Sequence, residues 1–468
     1  MNPLLKRLYD LTPVAVQNLL LTGFSARLDQ QRYGGRFPEF RALMEEAQWW
    51  DTRRMTEWQD VRLREVVIHA YTHVPYYREL FDQCGLKPAD IHCRADLAKL
   101  PVLTRATIKR RLPDMLSRAI PKYRLAEGHT SGTTGSPLTL FYNGDMTHMA
   151  YAALDRHYRW AGVIMARGGD RVAVIRGNVI VPLEQRRPPF WRLNHFHNQL
   201  LLSCFHLTPD NLTHYFQALR EFRPAVLDGY PSSAYVLAKV LLNRDERLPL
   251  KAVITSSETL FDFQREVIEA AFQCRVFDYY AAAERVIFAS ECDHHLGHHL
   301  YEEYGITELL DEDDQPVAVG GEGYLVGTSL HNLGMPLLRY RTSDRSALKT
   351  ASCACGRPLP LMEDVATKAE DLLRLKDGRL ISPSVLTHPF KPLDAIEASQ
   401  LVQTDLDRLI IRLVPTPAYR QADADHLVRE LKARLGEEIR VDIELTDSLP
   451  RTANGKFKWV ISEVDLGI

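Results

Sequence analysis

The chain has 468 residues, 45% hydrophobic and 25% charged, with only 25 Gly and 26 Pro scattered along it. This excludes disorder, collagen-like repeats and a fibre, and a length about three times the ~150 residues of one domain allows two or three domains with a sizeable core. With 58 Lys+Arg against 60 Asp+Glu the formal net charge is −2, so no global field draws the protein onto nucleic acid or an anionic membrane, and any polyanion must be met locally.

Residues 1–30 contain no uninterrupted apolar core of signal-peptide quality and no small-residue cleavage site. A helix packed on the body is expected there, with contact to a membrane surface as the competing reading. No stretch approaches the ~20 apolar residues of a spanning helix, and no integral membrane segment is expected. Residues 37–50 and 58–72 carry apolar positions at three- and four-residue spacing among charges, which predicts a helical preamble over the first 120 residues. From residue 126 short apolar or β-branched runs (138–142, 171–175, 225–227, 252–255, 276–280) alternate with helical segments (214–221, 261–272), the signature of an α/β domain. Charges thicken at about residue 366, and Lys376-Asp377-Gly378-Arg379 signals a hairpin turn. The remainder reads strand (397–402), strand (408–414), helix (422–435), strand (440–445). A small α+β cap on a large α/β body follows, joined by a short hinge rather than a tether.

The seven cysteines, Cys84, Cys93, Cys204, Cys274, Cys292, Cys353 and Cys355, are an odd number spread thinly, unlike a secreted disulfide framework. A reducing, cytoplasmic setting is expected.

The strongest local signal is Thr130-Ser131-Gly132-Thr133-Thr134-Gly135-Ser136-Pro137 before a strand-like run. Two glycines let backbone N–H groups converge and the hydroxyls add donors, which suits the oxygens of a polyphosphate. The Gly-Lys-Ser/Thr ending of a Walker A loop is absent, and a Ser/Thr/Gly-rich surface turn is the alternative. Three further segments follow in order: Tyr280-Ala281-Ala282-Ala283-Glu284, Arg339-Tyr340-Arg341-Thr342-Ser343-Asp344 and Pro450-Arg451-Thr452-Ala453-Asn454-Gly455-Lys456. Together the four resemble the ordered motifs of the adenylate-forming superfamily of acyl-CoA synthetases, adenylation domains and luciferases. His69-Ala70-Tyr71-Thr72-His73-Val74-Pro75-Tyr76-Tyr77-Arg78 and Leu100-Pro101-Val102-Leu103-Thr104-Arg105 are similar to the phenylacetate-CoA ligase branch, including its capsular polysaccharide relatives. On their own, His73 and Tyr76-Tyr77 read as helix-end packing.

The resemblance implies an AMP-binding domain over 1–366, a hinge over 367–372 and a mobile C-terminal lid over 373–468 that carries a catalytic lysine. In such enzymes a carboxylate attacks the α-phosphorus of ATP, pyrophosphate leaves and an acyl-adenylate forms, so cations and aimed N–H groups lower the barrier. Lys456 is then the catalytic ammonium. Glu284 holds Mg²⁺, since a hard cation wants carboxylate and phosphate oxygen. Thr130, Ser131, Gly132, Thr133, Thr134 and Gly135 cradle the phosphates, Asp344 accepts from the ribose hydroxyls, and Ser257-Glu258 borders the adenine along with Tyr280. Lys368 stands at the family's hinge arginine and Asp371 at its pivot. Each has a plainer reading as a surface lysine, turn aspartate or helix-start acid.

Cys292-Asp293-His294-His295-Leu296-Gly297-His298-His299 and Cys353-Ala354-Cys355 carry thiolates and imidazoles, the zinc set, although Cys-x-Cys is tighter than a usual zinc knuckle. The resemblance aligns Cys292, His299, Cys353 and Cys355 with ligands of a structural zinc, with His298 able to replace His299. Buried thiols and satisfied histidines are the alternative.

Several positions depart from the family. Ala281 replaces a Gly, Ala283 a Ser/Thr that contacts the α-phosphate, Ser343 a Gly, and Lys368 an Arg, which loses the planar fork. The implied function is ATP-dependent activation of a small carboxylic acid and transfer to a thiol, coenzyme A first. A carrier-protein arm, an amine or a sugar are alternative acceptors, and a nucleotide-binding protein without turnover is the contrasting class. No basic patch interleaved with aromatics supports nucleic-acid binding. Tyr235, Phe277 and Tyr279 fall near the expected acyl pocket and favour a planar acid, against core packing as their plainer use.

Overall fold

The computed structural model describes residues 3–130, 138–165, 167–365, 372–381, 383–390, 392–393, 395–449 and 458–465. The preamble is helical: α1 (Pro3–Leu11), α2 (Val14–Tyr33), α3 (Phe37–Ala47), α4 (Thr52–His73), α5 (Pro75–Gln83) and α6 (Arg105–Arg111). Asp51 caps α4 by accepting from the Arg54 N–H at 2.8 Å. Below the cap Met55, Leu63, Val66, Val67 and Ala70 recur at helical spacing and are buried, as are Phe37, Phe40, Met44 and Ala47 of α3.

His331 is sealed beneath these helices, its ring against Phe40 and Trp58 and its Nε2 donating to the Glu303 carbonyl at 2.8 Å. Burial outweighs that hydrogen bond, aided by the charges of Arg62 and Arg36, and holds its pKa down at about 3. An unfolded histidine titrates near 6.5, so the unfolded chain takes up the proton first as pH falls. Stability contributed by neutral His331 is full above pH 6.5 and is lost downward from there, roughly 2 kcal/mol by pH 5. Urea unfolding at pH 7 and pH 5 should show a smaller acid loss in His331→Gln than in wild type; equal losses would refute the assignment.

The hairpin β1 (Ala126–His129) and β2 (Thr139–Tyr142) precedes α7 (Gly144–Trp160). The body is then laid down as β3 (Val172–Arg176), β4 (Trp191–Asn194), β5 (Gln199–Ser203), α8 (Leu212–Phe222), β6 (Val226–Gly229), α9 (Pro231–Asn243), β7 (Ala252–Ser256), α10 (Asp262–Phe272), β8 (Arg275–Ala281), β9 (Phe288–Glu291) and β10 (His298–Leu300). After β11 (Gly305–Leu310), β12 (Glu322–Ser329) and β13 (Tyr340–Ala347), which form their own antiparallel sheet, β14 (Leu361–Met362) returns to the edge of the large one.

The large sheet runs β14-β10-β9-β8-β7-β6-β3-β5-β4. Its centre, β5, β3, β6, β7 and β8, is parallel, with antiparallel strands at both margins. From β3 the chain builds one way to β5 and the other way to β6, a topological switch point, and ligands of such sheets bind beyond the carboxyl ends of the strands there. Leu200, Leu202, Leu227, Val253 and Val276 fill this layer at under 2% exposure.

The C-terminal part opens on the expected hairpin, β15 (Leu373–Arg374) and β16 (Leu380–Ile381), with Gly378 at φ +78° in its turn. The short α11 (Pro383–Leu386) leads to a second sheet of order β19-β18-β17-β20, comprising β17 (Ile396–Asp405), β18 (Arg408–Pro415), β19 (Arg440–Leu445) and β20 (Val460–Ser462), with α12 (Gln421–Leu435) between β18 and β19. Leu373, Val385, Phe390 and Trp459 share one buried cluster with Phe205, Tyr215 and Tyr230 of the body.

Candidate active site

A cleft of about 600 Å³ opens at the carboxyl ends of β7 and β8, lined among others by Thr130, Ser257, Glu258, Tyr280, Glu284 and Asp344. Six residues chosen from four sequence segments thus meet on one concavity. Ser131, Gly132, Thr133, Thr134, Gly135, Lys368, Asp371 and Lys456 lie outside the described residues.

Thr130 closes the neck of the hydroxyl-rich loop: its N–H donates to the Leu138 carbonyl (3.1 Å), and its Oγ1 accepts from the Leu138 N–H (3.0 Å) and from Arg105 Nη2 (2.9 Å). Arg105 stands there because the Leu100–Thr104 segment of the branch-like motif pairs with β13. Leu103 donates its N–H to the Arg339 carbonyl (2.9 Å) and accepts from the Arg341 N–H (3.0 Å). The same pairing sets Arg105 beside Tyr340, whose hydroxyl donates to Glu284 Oε1 at 2.7 Å. Burial pushes the Glu284 carboxyl up, against the Tyr340 hydrogen bond and the Arg105 charge. Thr130, Arg105, Tyr340 and Glu284 form one continuous polar wall.

In the same cleft Tyr280 donates to Asp344 Oδ2 at 2.8 Å. Glu258 Oε2 accepts from the Ser232 N–H at 3.2 Å, at the first turn of α9. Ser257 has φ +72°, Arg285 +56° and Arg339 +55°; all three left-handed residues adjoin cleft residues, and such strain gathers where surrounding structure fixes a site. The +72° at Ser257 is a backbone conformation that Gly would adopt without strain. Ser343, by contrast, lies inside β13 with no positive φ, so replacing Gly there costs nothing in backbone strain.

Adjacent histidines on β10 part company. His299 joins Cys292, Cys353 and Cys355, whose ligand atoms all lie within 4.8 Å of one another. Cys292 Sγ is 3.5 Å from Cys353 Sγ, and Cys355 Sγ is 3.4 Å from His299 Nε2. The His299 Nδ1–H donates to the Leu359 carbonyl (3.4 Å), the arrangement that leaves Nε2 as the ligand atom. His298 points the other way, into the cleft, with Nε2 3.2 Å from Asp278 and Nδ1 3.2 Å from Asp364. It is therefore His299, not His298, that completes the cluster.

The sequence and fold have known counterparts. A family model described as CapK C-terminal domain matches residues 373–463. Protein CapK of Staphylococcus aureus is 27% identical over 472 residues, covering 98% of this chain and 100% of that protein. Phenylacetate-coenzyme A ligase of Thermus thermophilus is 24% identical over 436 residues, covering 86% of this chain and 95% of its own length. Along nearly its whole length the chain is thus similar to protein CapK and to phenylacetate-CoA ligases. In fold it resembles 2-hydroxyisobutyryl-CoA ligase in complex with 2-HIB-AMP and CoA, with a TM-score of 0.57 at 20% identity, covering 90% of this chain and 94% of that one.

Sequence reasoning overlooked Arg105, Tyr340, Asp278, His298 and Asp364 as cleft residues. Arg105 and Tyr340 stood within quoted motifs, and the signal was their pairing, which only the Leu103 bridge to β13 reveals. Of the three aromatics expected near an acyl pocket, Tyr279 lines the cleft. Tyr235 packs on Phe263 and Phe277 on His295, so those two serve the core.

Proposed function

We propose that the protein activates a carboxylic acid as its acyl-AMP, releasing pyrophosphate, and passes the acyl group to the thiol of coenzyme A. The observation that carries this reading is the cleft itself, in which Thr130, Ser257, Glu258, Tyr280, Glu284 and Asp344 converge beyond the strand ends. The names of the phenylacetate-coenzyme A ligases support a carboxylic acid and coenzyme A as the substrate pair.

In this reading the phosphates of ATP lie along the Thr130–Arg105 wall, where a hydroxyl and a guanidinium oppose charge developing at the reacting phosphorus. The residues 131–135 complete that cradle, Asp344 orients the ribose, and the Ser257–Glu258 turn with Tyr280 borders the base. Glu284, a buried carboxylate on the same wall, is the residue to hold Mg²⁺, which supplies charge neutralisation for the leaving pyrophosphate. Arg105 lines the same cleft as Ala283, the position at which the family's Ser/Thr hydroxyl is missing, and the buried Tyr142 hydroxyl fixes that turn by donating to the Ala283 carbonyl at 2.6 Å. The carboxylate oxygen bonds to the α-phosphorus as the bond to pyrophosphate breaks; then the thiolate sulfur bonds to the acyl carbon and AMP leaves. Lys456 serves the first step as the catalytic cation, and residues 367–372 hinge the lid.

Zinc fits the second constellation: three thiols and an imidazole fill the four positions of a closed tetrahedral site, with none left for a substrate. Its role is structural.

Pyrophosphate release and hydroxylamine trapping over a panel of aromatic, aliphatic and hydroxylated acids test the reading, with thioester formation followed by mass spectrometry. Wild type should release pyrophosphate with at least one acid and Lys456→Ala should not. A wild type that binds ATP yet turns over no acid refutes it; trapped acyl-AMP without thioester refutes the coenzyme A half alone.

A further inference from the structure

Helix α2 is packed with its polar side inward. It covers β4, the edge strand of the large sheet, and uses side chains to satisfy that edge: Asn18 Oδ1 accepts from the Leu193 N–H (2.9 Å) and Thr22 Oγ1 from the His195 N–H (3.1 Å). Further along the same face Asp29 meets His197 at 2.8 Å. Gln17 is buried, donating to the Tyr9 carbonyl at 3.0 Å and accepting from Arg192. The opposite face, at helical spacing, is Val16, Leu19, Leu20, Gly23, Phe24 and Arg27. Leu19 is 70% exposed and Phe24 59%, and α1, tied to α2 through Gln17, adds Leu8 and Leu11, the latter 84% exposed. The large apolar side chains gathered on the outer face of α2 mark an interaction site rather than scattered surface residues.

The charge beside this face selects the occupant. Arg27 continues the stripe, and the 184–188 loop is held next to α2 through Arg192, whose Nη2 donates to Gln185 Oε1 (2.9 Å) while its Nε donates to Gln17. That loop exposes Arg186 and Arg187. Among the described residues none of these three arginines has a carboxylate partner, and Glu184 is the loop's single acid. A second copy seated face to face would bring like-charged rims together. Anionic headgroups meet them favourably, and no described helix is long and apolar enough to cross a membrane. We propose that α1 and α2 seat the protein on an anionic lipid surface, the Leu/Phe stripe entering the acyl boundary and Arg27, Arg186 and Arg187 meeting the headgroups.

Flotation of the full chain with vesicles tests this. Wild type should float with an equal mixture of phosphatidylcholine and phosphatidylglycerol, more weakly with phosphatidylcholine alone. Leu19→Ser/Phe24→Ser should lower partitioning about tenfold or more, and Arg27→Glu/Arg187→Glu should remove the preference for the anionic vesicle and its salt sensitivity. Unchanged melting temperatures would show the variants folded. Three results overturn the proposal: a wild type that floats with neither vesicle, a Leu19→Ser/Phe24→Ser variant that floats as well as wild type, or light scattering that finds a non-floating dimer split by Phe24→Ser.

Discussion

Glu284→Gln is expected to lower carboxylate-dependent pyrophosphate release by roughly 10²–10³-fold, the size of losing one charge-stabilising group at a reacting phosphoryl or acyl centre. The substitution keeps shape and an acceptor for the Tyr340 hydroxyl, now 2.7 Å from Glu284, but removes the charge that would hold Mg²⁺. Folding should not suffer. Burial already disfavours ionised Glu284, so a neutral amide removes a cost of the native state, and the melting temperature should stay level or rise. Tyr340→Phe is the companion variant: it leaves the carboxylate in place without its donor and should cost less than Glu284→Gln. Steady-state kinetics with saturating ATP decide the matter. A Glu284→Gln enzyme within a factor of a few of wild type would remove Glu284 from the mechanism.

Cys353→Ser is expected to bring bound zinc from about one ion per chain to near zero and to cost several kcal/mol of stability, because a structural metal's binding energy is folding energy. The cluster joins the 348–360 segment to β10. Beyond it, Arg357 lies 4.4 Å over the Trp160 ring, and both Arg357 Nε and Trp160 Nε1 donate to Gln48 Oε1 at 3.0 Å. Loosening the thiol end should therefore loosen the end of α3 as well. Elemental analysis and thermal melting with and without a strong chelator measure both effects. A wild type that carries no metal, with a melting temperature indifferent to chelator, would leave the four residues as ordinary buried thiols and imidazole.

Much of this was legible in the chain. The 252–255 and 440–445 runs became β7 and β19 almost residue for residue, because β-branched runs bounded by turns or helices have few other folds available. The antiparallel strands β4, β9 and β10 and the parallel strand β5 fall outside the runs that the sequence singles out. Their residues, such as Gln199 and His298, alternate weakly or carry polar groups satisfied only by distant partners, as Asn18 satisfies Leu193 and Asp278 faces His298. The cleft shows the same division. Motif residues could be named singly, whereas the Thr130–Arg105–Tyr340–Glu284 wall depends on a strand pairing between residues 103 and 340 that no local pattern encodes. The expected helix packed on the body is present as α2, but which of its sides meets the body depends on Asn18 and Thr22 satisfying the β4 edge, a distant pairing.

The parting of His298 and His299 has a consequence for how this sequence can change. A strand presents neighbours to opposite sides, so the tandem pair serves two unlike environments from one register. A slip of one residue forward would give the cleft His299 and the thiols Leu300; a slip backward would give the thiols His298 and the cleft Gly297. Either way one imidazole is lost. Loop 293–297 can change in length or composition only where the pairing of β10 with Ser290 and Leu361 keeps its phase, which makes that phase, more than either histidine alone, the inherited quantity.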